Sequence, residues 1–326
     1  MHKTFFFFVI LLAVHFIILS SSVFANLDKS ITDTSTKSSS SKKNLELSFH
    51  TGYRQDFFQW NIGGYHPVTF NYINILSELT WDNIRIFEAE LKGRYFIKNG
   101  FFGLTLSYGR IFSGENQDSD YLGSDRTNEF SRSNNASDSG SVYHIEFEGG
   151  YRFKVIKDIL FLFPRAGFAV YFQNFTMTDG YQTINTFGSY TGPFDGLNSS
   201  YDTQWSSPFL GLDIQVNILN FLGVKLGYEH HFPFYSAEAN WNLRLDFDHP
   251  VSFEHRANGT GMNFFGTLIF NISEAFDINT RFIYRYWTTE PGDDITYFND
   301  GTYGTTPLNE IIWKSYSVQL GVTYKY

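Results

Sequence analysis

The stretch SGENQDSDY places Asp118 and Asp120 two residues apart, the first spacing in this chain that could support a reaction. Two carboxylates so close can share a proton, polarise a water or hold a cation. Hydrolysis would also need a base or an orienting partner within hydrogen-bond reach. His230, His231 and His249 are the histidines to consider for the far side of such a site, and none stands in an Asp-x-His spacing. Adjacent strand residues face opposite ways, so His230 and His231 cannot chelate one metal from a single face. With Cys 0, the chain offers no thiol nucleophile and no cysteine-ligated metal. It also has no glycine-rich phosphate loop and no nucleophile elbow, and no cofactor or metal site is expected. By itself the Asp-x-Asp pair equally fits a solvated acidic loop or a weak cation site.

A larger set of charged groups recurs at alternate positions within otherwise apolar segments. In SVYHIEFEGGYRFK, His144, Glu146, Glu148 and Arg152 alternate with Tyr143, Ile145, Phe147, Tyr151 and Phe153. In FDINTRFIYRYW, Asp277, Arg281 and Arg285 oppose Phe276, Ile278, Phe282, Tyr284 and Tyr286. Glu88, Glu90, Lys92 and Arg94 follow the same rule, as do Lys225, Glu229 and His231, and Glu46, His50, Arg54 and Arg165 belong with them. A period of two is the signature of a strand with one apolar and one polar face. If the apolar face meets lipid, these residues line a lumen. There they form either a salt-bridged plug or a thin hydrated pore.

The elements that would hold them are strands throughout. SYSVQLGVTYKY alternates without error to Tyr326. About ten such strands are expected, near 45–60, 70–96, 101–112, 141–154, 159–177, 204–217, 222–240, 252–271, 276–290 and 311–326. The second reads as one long strand, because Ile73, Ile75, Leu79, Trp81, Phe87, Ala89 and Leu91 keep odd parity. Short connections at 98–100, 156–158, 219–220 and 272–275 alternate with long polar stretches at 113–140, 178–203, 241–251 and 291–310. Transmembrane barrels show that alternation, together with an even strand count and aromatic girdles. Aromatic residues make up 20% of the chain, with Phe 37, Tyr 21 and Trp 6, which suits such girdles. The fold expected is therefore all-β, a transmembrane up-and-down antiparallel barrel over 44–326, with Tyr326 closing the last strand on the first. Residues 1–25 read as a secretory signal peptide ending Val23-Phe24-Ala25, and 26–43 as a disordered periplasmic lead-in. The address is the outer membrane, with lipid and lipopolysaccharide as surroundings. A net charge of −9 argues against a nucleic-acid partner.

Around Asp118 and Asp120, and again at Pro208-Phe209-Leu210-Gly211-Leu212, the chain resembles the omptin family of outer-membrane proteases, which are ten-stranded barrels of similar length. That resemblance implies a water held between an Asp-x-Asp pair, here Asp118 and Asp120, and an Asp-x-His pair across the mouth. Aligned on Asn242-Leu243-Arg244, the second pair falls on Ala239 and Trp241, neither of which can serve as a base. In overall type, Phe/Tyr-rich, acidic and free of cysteine, the chain also resembles the Protochlamydia outer membrane protein family. The function expected is a non-enzymatic, porin-like channel passing ions or small solutes through a narrow charged lumen. The alternatives are a divergent omptin-like protease and a structural or adhesive barrel whose long loops bind a partner.

Overall fold

A computed structural model describes residues 44–66, 69–188 and 190–326. The signal peptide and the lead-in expected from the sequence lie outside the described residues. Alternating residues pair into a single antiparallel sheet of fourteen strands. They are β1 (Leu45–Tyr65), β2 (Tyr72–Ile97), β3 (Gly100–Gly123), β4 (Thr127–Tyr151), β5 (Phe153–Ile156), β6 (Leu160–Asn185) and β7 (Gly192–Phe194). The rest are β8 (Ser199–Leu219), β9 (Leu222–His231), β10 (Phe234–Asn240), β11 (Phe253–Asn271), β12 (Phe276–Thr289), β13 (Gly292–Tyr297) and β14 (Tyr303–Lys325). The main walls run β1-β2-β3-β4-β6-β8-β9-β11-β12-β14, and β14 pairs back onto β1. The short β5, β10 and β13 prolong the walls of β4, β9 and β12, and β7 pairs only with β6. Ten walls thus close into a barrel. The seam is finished by the Tyr326 amide donating to the Leu45 carbonyl at 2.8 Å and the Leu45 amide donating back at 3.0 Å.

On β14 from Tyr316 onward the exposed side chains are Tyr316, Val318, Leu320, Val322 and Tyr324, while Gln319 is 1% exposed and Ser317 0%. Apolar outside and polar inside is the reverse of a water-soluble sheet. It is what a strand facing hydrocarbon requires, because a closed barrel pairs every backbone group internally. Tyrosines ring both limits of this belt: Tyr53, Tyr108, Tyr143, Tyr284 and Tyr316 at one, Tyr95, Tyr151 and Tyr324 at the other. The tryptophans do not join them. Trp60, Trp81, Trp205, Trp287 and Trp313 all point inward and are at most 3% exposed.

Three of the polar stretches expected as long loops are largely strand. β3 runs on to Gly123 and β4 starts at Thr127, so most of 113–140 is paired sheet. β6 extends to Asn185, β8 begins at Ser199, and β13 and β14 occupy much of 291–310. Beyond the lipid belt the outer face meets water. Apolar alternation is no longer required there, and the sequence signal fades while backbone pairing continues. Only 241–251 is mainly irregular, as expected.

β2 is indeed one strand, but its parity does not keep one face. The register shifts between Asp82 and Arg85, with Asn83 at φ 52°. Above this bulge the odd residues Leu79 and Trp81 are buried. Below it the even residues Ile84, Ile86 and Glu88 are buried, and Phe87 and Leu91 face lipid. One extra residue re-aims the strand.

Candidate functional site

The lumen-facing residues fall into two layers. Nearer the short turns lies an ionic layer. Arg165 on β6 is its centre, with Nη2 2.9 Å from Asp213 Oδ1, Nη1 3.1 Å from Glu148 Oε2, and a further contact to Glu229. Glu148 also receives Arg94 at 2.7 Å and Lys92 at 3.0 Å, and Lys225 reaches Asp213 at 2.8 Å. On the opposite wall Arg281 contacts Glu90 at 2.6 Å, Arg54 bonds Asp56, and Gln319 bridges Arg281 to Glu88. His50 Nε2 lies 2.7 Å from Asn279 Oδ1. That bond needs Gly321, because a Cβ there would collide with the His50 ring. A cavity of about 370 Å³ remains between these walls, reaching the short-turn end at Glu46, Asn217, Asn271 and Lys325.

The twelve residues expected to line a lumen are all withdrawn from the outer surface. Glu88, Glu90, Arg94, His144, Glu146, Glu148, Glu229, Arg281 and Arg285 are buried, and Lys92, Arg152 and Lys225 are half-buried. Among the described residues, all but Arg152 and Arg285 have an oppositely charged group within ion-pair distance, His144 through Glu146. Burying a charge is costly unless it is paired and hydrogen-bonded, so these pairs oppose any slip of the strands that supply them.

Above the ionic layer the lumen is filled by rings. Trp81 on β2 stacks on Tyr201 of β8 at 5.1 Å between centroids, and Phe58 on β1 meets the same Tyr201 at 5.9 Å. Tyr171 on β6 packs edge-on against Trp287 at 5.0 Å and Trp313 at 5.4 Å, and Trp205 meets Trp313 at 6.2 Å. β2 and β8 are not neighbours, nor are β8 and β14, so these contacts cross the barrel. Buried indole N–H groups usually find a partner, and three of these do, whereas those of Trp60 and Trp81 have none among the described residues. The Trp313 indole donates to Asp56, Trp287 to Asn263 and Trp205 to Gln173. Tyr235, Tyr201, His255 and Asp294 form a buried polar chain, with links of 2.8, 2.7 and 3.2 Å. Sequence reasoning missed this layer, although it left a trace. Phe58, Trp287 and Trp313 stand on the same parity as the charged and polar residues of their strands, where a lipid-facing aromatic has no place.

Asp118 and Asp120 lie on β3, six and eight residues beyond Phe112, an exposed residue of the lipid belt. Their cross-strand partners Leu79 and Ser77 put them on the inner face of the mouth. Burial, then the Asp120 charge, holds the Asp118 carboxyl well above the usual carboxylate range, against a hydrogen bond from Trp241 and the attraction of Arg244. Burial also raises Asp120, against a hydrogen bond from Ser77 and the attraction of Arg244. Trp241 therefore meets the first carboxylate of the pair itself. Ala239 is buried in the aromatic layer at 1% exposure. His231 is held by Glu229, His249 by Asn240, and His230 faces outward beside Tyr228 and Phe232.

A closed antiparallel barrel with a lipid-facing apolar belt and a polar interior is an integral outer-membrane protein. The family model described as "Protochlamydia outer membrane protein" matches residues 48–326, and the chain belongs to that family. Among solved structures, the outer membrane protease OmpT from Escherichia coli superposes with a TM-score of 0.69 at 11% identity, covering 90% of this chain and 100% of that one. At that identity the likeness is one of fold. The translocator domain of the autotransporter NalP from Neisseria meningitidis gives a TM-score of 0.38 at 14% identity, covering 96% of this chain and 97% of that one. No curated protein matches in sequence.

Proposed function

We propose that this protein works at its outer mouth, as a sealed, non-enzymatic barrel that presents a rigid rim to a partner outside the cell. The observation that carries this reading is the aromatic layer, in which rings from non-adjacent walls touch across the lumen. The rim adds support: Tyr65, Phe70, Tyr72, Phe187, Leu245 and Tyr303 are exposed apolar groups, many of them at turns that join the prolonged strands. An omptin-like hydrolysis is disfavoured because Ala239 and Trp241 supply no base. Loss of such a group forfeits about 10²–10⁴ in rate. A narrow charged channel is the second reading. It draws on the polar cavity of the ionic layer, and it requires the rings to leave the lumen.

Planar-bilayer recording of the refolded full-length protein separates the readings. The sealed barrel gives no steady conductance, and the same preparation in lipopolysaccharide-containing detergent leaves a dibasic peptide intact. Discrete, ion-selective steps would restore the channel. Cleavage abolished by Asp118→Asn would restore the protease.

A further inference from the structure

Arg285 is an exception in the ionic layer. Its residue is 4% exposed, yet among the described residues no carboxylate lies within ion-pair distance of it. Its Nε has no hydrogen-bond partner, and Nη1 makes only a 3.5 Å contact to Ser315 Oγ. Arg54, Arg94 and Arg165, comparably buried, each hold carboxylates. Arg285 lines the 370 Å³ cavity together with His144 and Tyr171. His144 is 6% exposed and stacks on the Tyr171 ring at 4.1 Å, with neither ring nitrogen hydrogen-bonded. Among the described residues, the carboxylate within ion-pair distance of it is that of Glu146, 3.5 Å from Nε2. The Arg285 guanidinium carbon is 5.9 Å from the same Tyr171 ring.

We infer that this part of the cavity binds a small oxyanion, a carboxylate or a phosphate, with Arg285 as the principal donor and His144 as the second. A desolvated cation without an acceptor is costly, and an incoming oxyanion removes that cost. The planar guanidinium presents parallel N–H groups that match two oxygens of a carboxylate or phosphate. Glu146 beside His144 disfavours a multiply charged ligand, so a monocarboxylate or singly charged phosphate fits best. Entry is from the short-turn end, because the aromatic layer occupies the other. The site stands whether or not the barrel conducts.

The test uses full-length protein refolded in detergent, titrated with sodium acetate or sodium phosphate while sodium chloride holds the ionic strength constant. Trp287 and Trp313 touch Tyr171, so intrinsic tryptophan fluorescence reports the site, and the midpoint of thermal unfolding gives an independent readout. A saturable fluorescence change and a raised midpoint are expected with at least one of the two anions, and the anion that saturates names the ligand class. Arg285→Gln should weaken that binding by about tenfold or more, and Arg285→Lys should keep part of it. If Arg285→Gln does not fold, His144→Phe, which retains the stack on Tyr171, should weaken binding instead. No saturation with either anion in the parent protein, or an undiminished response in the variants, would overturn the inference.

Discussion

Arg165 and Trp205 project into the same barrel from adjacent strands, β6 and β8, and both are almost wholly buried. Around Arg165 the walls are held apart by long charged side chains that leave a cavity between them. Around Trp205 they are bridged by rings in direct contact. The ionic layer gains little net free energy, because the desolvation of its charges offsets most of their attraction. What it does is fix register and forbid slippage. The aromatic layer gains by removing large apolar surface from water, and in the function proposed above it is the part that closes the lumen. Strand register and apolar stabilisation are thus set in different places.

The sharpest way to break this contrast is to empty the aromatic layer. Trp81→Ala and Trp205→Ala should each cost about 3–5 kcal/mol, read from urea unfolding followed by gel mobility. Combined, they should produce bilayer currents that the parent lacks. A double variant that is weakened yet still silent would assign the seal to the remaining rings. Next in size, Arg165→Met leaves Glu148, Asp213 and Glu229 facing one another and should cost about 3–5 kcal/mol, toward the lower end because Lys92, Arg94 and Lys225 still reach two of them. Adding Glu229→Gln should recover part of the loss and open no conductance. If Arg165→Met alone opened a current, the division of labour proposed between the layers would fail.

A smaller effect is expected at the mouth. Asp118 titrates above its unfolded value, so its contribution favours folding below the usual carboxylate range and is lost as pH rises through the raised value. Asp118→Asn should therefore stabilise the barrel at pH 8, change little at pH 4 and flatten the dependence between them, as followed by thermal unfolding. The smallest is Arg244→Gln. The Arg244–Asp246 pair is more than half exposed on both sides, and its loss should stay within about 0–1 kcal/mol.

The lower, membrane-embedded part of the molecule was the legible part. Lipid on one side and confined polar groups on the other impose a strict period of two, which places Glu146, Glu148, Arg281 and Arg285 inward from sequence alone. That logic does not reach β3 beyond Phe112 or β6 beyond Met177, because water on the outer face accepts any residue and the strands read as loops. Trp81 was hidden for another reason. A bulge at Asn83 reverses the faces, and a one-residue insertion leaves parity intact in the string while changing its meaning in space. The pairing of Arg165 with Glu229 and the isolation of Arg285 depend on which strands become neighbours around the ring, and that information is not local to either strand.

The seam between β1 and β14 sets the order of events during assembly. Leu45 and Tyr326 stand at opposite limits of the described chain, so no partial ring can be completed by local contacts, and closure is a late, long-range step. Until β14 arrives, β1 offers a row of unpaired backbone groups that could template a second copy. The hazardous interval for this protein is the time before closure. Once the seam has formed, unfolding must part paired backbone along its whole length, and persistence in the membrane becomes a matter of rate more than of equilibrium.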